Sequence, residues 1–149
     1  MAVKPIPEGY TTVTALLNVQ NCAEALEFYK KAFGAEERAR MLSPDGKVMH
    51  AELKIGNSIV MFSEAMMNPP TKSSLHIYVE NCDAWWKRAT EAGCKVEMPL
   101  EDAFWGDRYG VLSDKWGNRW GIATHKEDIS PDEMKRRGEA FMKNAANKK

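Results

Sequence analysis

Phe104-Trp105-Gly106-Asp107-Arg108-Tyr109-Gly110-Val111-Leu112-Ser113-Asp114-Lys115-Trp116-Gly117-Asn118-Arg119-Trp120-Gly121-Ile122-Ala123-Thr124-His125 holds three of the chain's five tryptophans and four of its ten glycines. Within it, Asp114-Lys115-Trp116-Gly117 is turn chemistry, because Gly117 takes the φ > 0 of a tight reversal without steric penalty. Aromatic-rich runs flank the turn, and the pattern predicts two antiparallel strands joined as a hairpin. Gly106, Gly110 and Gly121 pack poorly in an ordinary strand. In such places glycine marks a bulge or a close approach of another group to the backbone. Arg108 stands between two of these glycines, so its guanidinium either reaches over an open floor or faces solvent.

Outward from the hairpin, the sequence repeats. Val19-Gln20-Asn21-Cys22 returns sixty residues later as Val79-Glu80-Asn81-Cys82, an offset that also sets Ala25 and Leu26 against Trp85 and Trp86. Residues 11–19 alternate, with Val13, Ala15, Leu17 and Val19 on one face and Thr12, Thr14, Leu16 and Asn18 on the other, as a strand does. Asn21 is placed to cap a helix with Glu24 completing a capping box, and Cys22, Ala25, Leu26, Tyr29 and Phe33 recur at helical spacing up to Gly34. Turns at Pro44-Asp45-Gly46 and Gly56-Asn57 divide the stretch after Gly34 into strands over 36–42, 48–55 and 58–63. Pro69-Pro70 makes 66–73 a linker. A strand over 74–79 and a helix over 82–93 then repeat the opening, and further strands run through Thr124.

The fold class is therefore α+β, with two tandem βαβββ modules over about 11–65 and 74–125 in one domain spanning 1–149. A single helix covers one face of each module's sheet. Two modules, side by side or across two chains, enclose the other face as a cup. Ser130-Pro131-Asp132-Glu133 starts a short basic helix over about 131–143, on which Met134, Phe141 and Met142 are the packing residues and after which 145–149 fray.

Composition narrows the function classes. The 21 basic residues balance the 21 acidic ones, and no basic block outside short C-terminal clusters suggests nucleic acid. No apolar run approaches a membrane span, and the N-terminus lacks a signal-peptide core. Cys22, Cys82 and Cys94 lack metal-ligand spacing and read as reduced, packed thiols. The expectation is a soluble, cytoplasmic protein. Trp85 and Trp86 read as core and rim packing, and Asp107-Arg108 as either an ion pair or a substrate clamp.

The duplicated pattern, with His50-Ala51-Glu52-Leu53, Leu75-His76-Ile77-Tyr78-Val79, Phe104-Trp105-Gly106-Asp107-Arg108-Tyr109-Gly110 and Asp114-Lys115-Trp116-Gly117-Asn118-Arg119-Trp120, resembles the PhnB-like branch of the glyoxalase/bleomycin-resistance/dioxygenase (vicinal oxygen chelate) superfamily over about residues 8 to 137. The resemblance implies a cupped mixed sheet and a homodimer, but not one activity, since the superfamily holds isomerases, dioxygenases, thiol transferases and metal-free drug binders. Its metal-dependent members place a His or Gln on each module's opening strand and a Glu on its last. Those positions fall here on Thr14, Ser74, Met61 and Gly121, none a competent ligand for a divalent metal. The expectation is no metal and no cofactor.

A substitute metal set is conceivable in His50, Glu52 and His76, since residues two apart on a strand share a face. Either histidine acting as a general base needs a partner within hydrogen-bond reach. The favoured reading is a small-molecule binder whose cup is lined by Thr12, Thr14, His50, Glu52, Met61, His76, Tyr78, Phe104, Trp105 and Arg108. Its aromatics supply stacking, and Arg108 supplies a cation for an anionic or aromatic ligand. Arg108 needs an anion, and Asp107, its strand neighbour, points to the other face. The rivals are a lyase, isomerase or dioxygenase using the improvised metal or a histidine base, and an interaction module whose cup takes a partner's side chains. The Pro69-Pro70 linker is able to send the second module onto a neighbouring chain.

Overall fold

The computed structural model describes residues 2–148. The elements run β1 (Leu16–Val19), α1 (Cys22–Phe33), β2 (Glu36–Leu42), β3 (Val48–Ile55), β4 (Ser58–Glu64), β5 (Ser74–Tyr78), α2 (Cys82–Ala92), β6 (Lys95–Asp102), β7 (Asp107–Ser113), β8 (Arg119–His125) and α3 (Pro131–Ala146). The repeat becomes two four-stranded mixed sheets of the same order, β1-β4-β3-β2 and β5-β8-β7-β6. In each, the opening strand lies parallel to the last one and the remaining pairs are antiparallel. This is the tandem βαβββ arrangement that the repeat predicts, with the C-terminal helix after it.

Local chemistry departs from expectation in three places. β1 starts at Leu16 rather than Thr11, because the Thr11 hydroxyl donates to the Val13 carbonyl at 2.8 Å and folds that stretch back on itself. Asn21 does not cap α1 with its side chain. It adopts a left-handed backbone (φ 53°), and the Glu64 carboxylate at the end of β4 accepts from the Asn21 and Cys22 amides, each at 2.8 Å. A carboxylate at a helix N-terminus satisfies orphan donors and complements the helix dipole. In the second module Asn81 caps α2 directly through Ala84 N, and Thr124 takes the Cys82 amide at 2.9 Å. The third departure is α3, which continues to Ala146 instead of fraying from residue 145.

The modules of one chain meet through their helices and share one core. Tyr29 and Phe33 of α1 are fully buried, as are Phe62 and Trp120. Phe33 and Trp120 rings lie 4.8 Å apart and Tyr29 and Phe62 rings 5.2 Å apart, so the aromatic core crosses the module boundary. Polar ties cross it too. The Tyr29 hydroxyl donates to Asp114 at 2.5 Å, the Trp116 indole donates to the Gln20 carbonyl at 2.7 Å, and Arg88 donates to Ala32 O at the end of α1. The linker therefore leaves the second module against the first of the same chain. Cys22, Cys82 and Cys94 are free and buried, and burial pushes the thiol pKa of Cys22 and Cys94 up to about 12. No helix among the described residues is long and apolar enough to cross a membrane.

Candidate functional site

Strand alternation decides which side chains can meet. On β3, Ala51 and Leu53 are buried towards the core, while His50, Glu52 and Lys54 occupy the opposite, open face. Met61 stands opposite Glu52 in register and joins them there. On the second sheet Leu112, Trp120 and Ile122 face the core, which puts His76, Tyr78, Asp107, Tyr109, Gly121 and His125 on the open face.

That second open face carries a run of rings around one buried carboxylate. His76 lies 4.6 Å from Tyr78 and stacks on Tyr109 at 5.3 Å and 21°, and Tyr109 meets Trp105 edge-on at 5.3 Å. Gly121 makes the stacking possible: a Cβ there would come within 2.8 Å of His76 Nδ1. Asp107 is 4% exposed and accepts from Tyr78 Oη at 2.8 Å, Trp105 Nε1 at 3.0 Å and His125 Nδ1 at 2.8 Å. Burial works to raise the Asp107 pKa, but these three donors together hold it below the ordinary carboxylate range. Donation to Asp107 in turn holds the Tyr78 phenol above its usual value. His125 reaches on through Nε2 to Asp128 at 2.8 Å.

His125, bridged first to Asp128 and then to Asp107, has its pKa raised above the ordinary imidazole value of 6.5. The folded state thus holds the His125 proton more tightly than the unfolded chain does. Its stabilisation is complete below that ordinary value and is lost as pH rises through the folded one. The melting-temperature advantage of the parent over His125→Gln should therefore shrink as pH rises above the ordinary imidazole value. A gap that widens with rising pH would contradict the bridge.

The predicted site residues do not all converge. His76, Tyr78 and Trp105 come together. Thr14 lines both a cleft of about 960 Å³ between β1 and β5, which Leu16, His76 and Tyr78 also line, and a smaller one of about 400 Å³. Glu52, Met61 and Thr12 line that smaller cavity beneath the N-terminal segment, with His50 3.4 Å from Glu52. Phe104 meets Trp105 edge-on at 5.1 Å and packs its ring on Phe141 of α3 at 5.0 Å, so it supports the ring run from the α3 side.

Arg108 leaves the set. It is on the helix side of its sheet, donating to Asp83 at 3.0–3.2 Å with Asp102 at 3.5 Å. The anion beside Arg108 is Asp83 in the first turn of α2, and Asp107 is not its partner. The floor beside it is filled as well, since the Trp86 ring lies where a Gly110 Cβ would fall. Sequence reading missed Tyr109 and His125 as members of the open face and weighed Asp107 only against Arg108. The signal was parity, because 105, 107 and 109 alternate with 108.

The metal-ligand positions of the resemblance hold residues that do not fit a divalent ion. Thr14, Met61, Ser74 and Gly121 offer no imidazole or carboxylate. The substitute set is divided between two sheets, with His50 and Glu52 on the first and His76 stacked on Tyr109 on the second. Among the described residues no three His, Cys, Asp or Glu side chains are grouped to hold a metal.

Two βαβββ modules with a common aromatic core and an open sheet face each define a paired-module α+β protein. The chain belongs to the glyoxalase/bleomycin resistance protein/dioxygenase superfamily, whose family model matches residues 11–122. An uncharacterized protein of Mycobacterium bovis is 38% identical over 130 residues, covering 79% of this chain and 86% of that protein. Among solved structures, the PhnB protein of Bacillus cereus is similar in fold with a TM-score of 0.61 and 20% identity, over 76% of this chain and 99% of that one. TnmS3, an antibiotic binding protein from Streptomyces sp. CB03234, is similar with a TM-score of 0.62 and 21% identity, over 85% and 99% of the two chains.

Proposed function

We propose that this protein binds a small aromatic molecule in the cleft between β1 and β5, against His76 and Tyr78, whose rings continue along the open face into Tyr109 and Trp105, without the metal site of its metal-dependent relatives. The observation that carries this reading is the ring run itself. Tyr78 is 61% exposed beside a cleft of about 960 Å³, while its hydroxyl and the Trp105 indole are fixed on Asp107. Rings held this way present preformed stacking surfaces and lose little freedom when a ligand arrives. An antibiotic-binding protein of the same fold supports the reading as precedent.

A thermal-shift screen of aromatic compounds should yield ligands that raise the melting temperature, by the equivalent of about 2.7 kcal/mol at a hundredfold excess over Kd. His76→Ala removes one exposed ring and should weaken the best ligand roughly three- to tenfold. Unchanged affinity in that variant would place the ligand elsewhere.

We propose also that the chain is a homodimer in which a second copy covers open sheet face. Leu16, Met41, Tyr78 and Met98 leave 49%, 58%, 61% and 46% of their surface exposed on these faces, more apolar surface than a lone copy readily leaves wet. Sedimentation at micromolar concentration should give twice the 16.8 kDa chain mass. A persistent single-chain species would count against it.

A further inference from the structure

Resting on the reading of this face as the ligand site, we infer that the ligand it selects is an organic cation, an aromatic compound carrying an alkylated ammonium, rather than an anion. The inference comes from where the polar edges of the rings point. The Tyr78 O–H and the Trp105 N–H, the positive poles of those side chains, both donate to Asp107. What they leave outward is the electron-rich ring face and the phenol lone pairs, which attract positive charge and repel carboxylates.

The fixed charge nearest Tyr78 and Trp105 is predominantly negative. Asp107 sits at the polar edges of Tyr78 and Trp105. Glu101 stands opposite Tyr109 in register, and Asp128 lies beyond His125. The imidazole of His125 is held between two carboxylates, so it offsets at most one of them. Arg108 is on the other side of the sheet with Asp83 and Asp102, and Lys126 also lies by Asp83. Arg119 shares the open face beside Ser74, one strand step from His76, but Glu97 stands by it and by Lys95, and Arg38 lies by Gly9 across the cleft, so the cations gather away from Tyr78 and Asp107. His76 and Tyr109 make no side-chain hydrogen bond among the described residues, and each can donate or accept, so neither selects a sign of charge.

The test is titration calorimetry with three aromatic probes that differ in charge: phenyltrimethylammonium, benzyl alcohol and benzoate. The cation should bind about tenfold more tightly than the alcohol, and benzoate more weakly than either. Tyr78→Phe keeps the ring face and should keep the preference, whereas Tyr78→Leu should cut it by more than half. Tyr78 is largely exposed, so both variants should fold, and their melting curves confirm that. Equal binding of cation and alcohol, tighter binding of benzoate, or a preference undiminished in Tyr78→Leu would overturn the inference while leaving the aromatic-ligand reading standing. Failure of all three probes to bind at millimolar concentration would overturn both.

Discussion

Asp114→Ala is expected to destabilise the protein by about 3 kcal/mol, lowering its melting temperature by roughly 6–12 °C. The carboxylate is 7% exposed and is the acceptor on which the two modules converge. Its Oδ1 takes the Trp116 and Asn118 amides at 2.9 and 3.0 Å, closing the β7–β8 turn. Its Oδ2 takes Tyr29 Oη from α1 of the other module at 2.5 Å and Trp120 Nε1 at 2.9 Å. Alanine leaves four donors without this acceptor, two of them on fully buried rings, and an unsatisfied buried donor costs about 1–3 kcal/mol. Relief from burying a charge offsets part of that loss, which keeps the expected figure below the sum.

Two further substitutions resolve the pieces. Asp114→Asn preserves the turn acceptor but sets an amide N–H₂ against the Trp120 indole N–H, so its loss should be intermediate. Tyr29→Phe removes one donor with the acceptor still served, and should lose only about 1 kcal/mol. Urea denaturation of the three variants should give that order. An Asp114→Ala protein within 1 kcal/mol of the parent would show that the modules are held by ring packing alone.

The sequence makes the repeat legible because both modules keep the same punctuation: a valine-ended strand, an Asn-Cys entry to the helix, and a glycine exit. Strand parity and helical spacing do the rest, and strands 36–42 and 48–55 emerge with their predicted limits. The cap at α1 was not legible, since its acceptor, Glu64, lies more than forty residues on and reaches Asn21 only through sheet pairing. The site was partly legible for the same reason. His76, Tyr78 and Trp105 could be grouped from aromatic content, but the partner that fixes Tyr78 and Trp105 is the carboxylate two residues beyond Trp105, joined to His125 across a strand pair. Arg108 misleads because a cation between two glycines looks like a clamp. Its acid, Asp83, lies on a helix whose packing over that strand no local pattern reveals.

Gly106→Ala should be as damaging as the loss of Asp114, and through backbone alone. Gly106 adopts φ 96°, where a side chain is strained, and a Cβ there would collide with the Glu127 carbonyl oxygen. That oxygen belongs to a segment that cannot retreat freely, because Lys126 N and Glu127 N both donate to the Gly106 carbonyl at 2.9 and 3.0 Å. Moving it would also pull Glu127 from Arg137, 3.0 Å away, and loosen α3. Left-handed strain contributes about 1–2 kcal/mol and the displaced segment at least as much again, so the expected destabilisation is about 3–5 kcal/mol. Trp105 and Asp107 flank the substitution, so ligand binding should weaken along with stability. Gly46→Ala supplies the control. Gly46 has φ 85° but nothing within 4 Å of its Cβ position, so it isolates the strain and should lose only about 1–2 kcal/mol with ligand affinity unchanged. Equal losses in the two variants would mean that the 126–128 segment yields without resistance, and that the loop carrying Trp105 and Asp107 is not held by the close approach at Gly106.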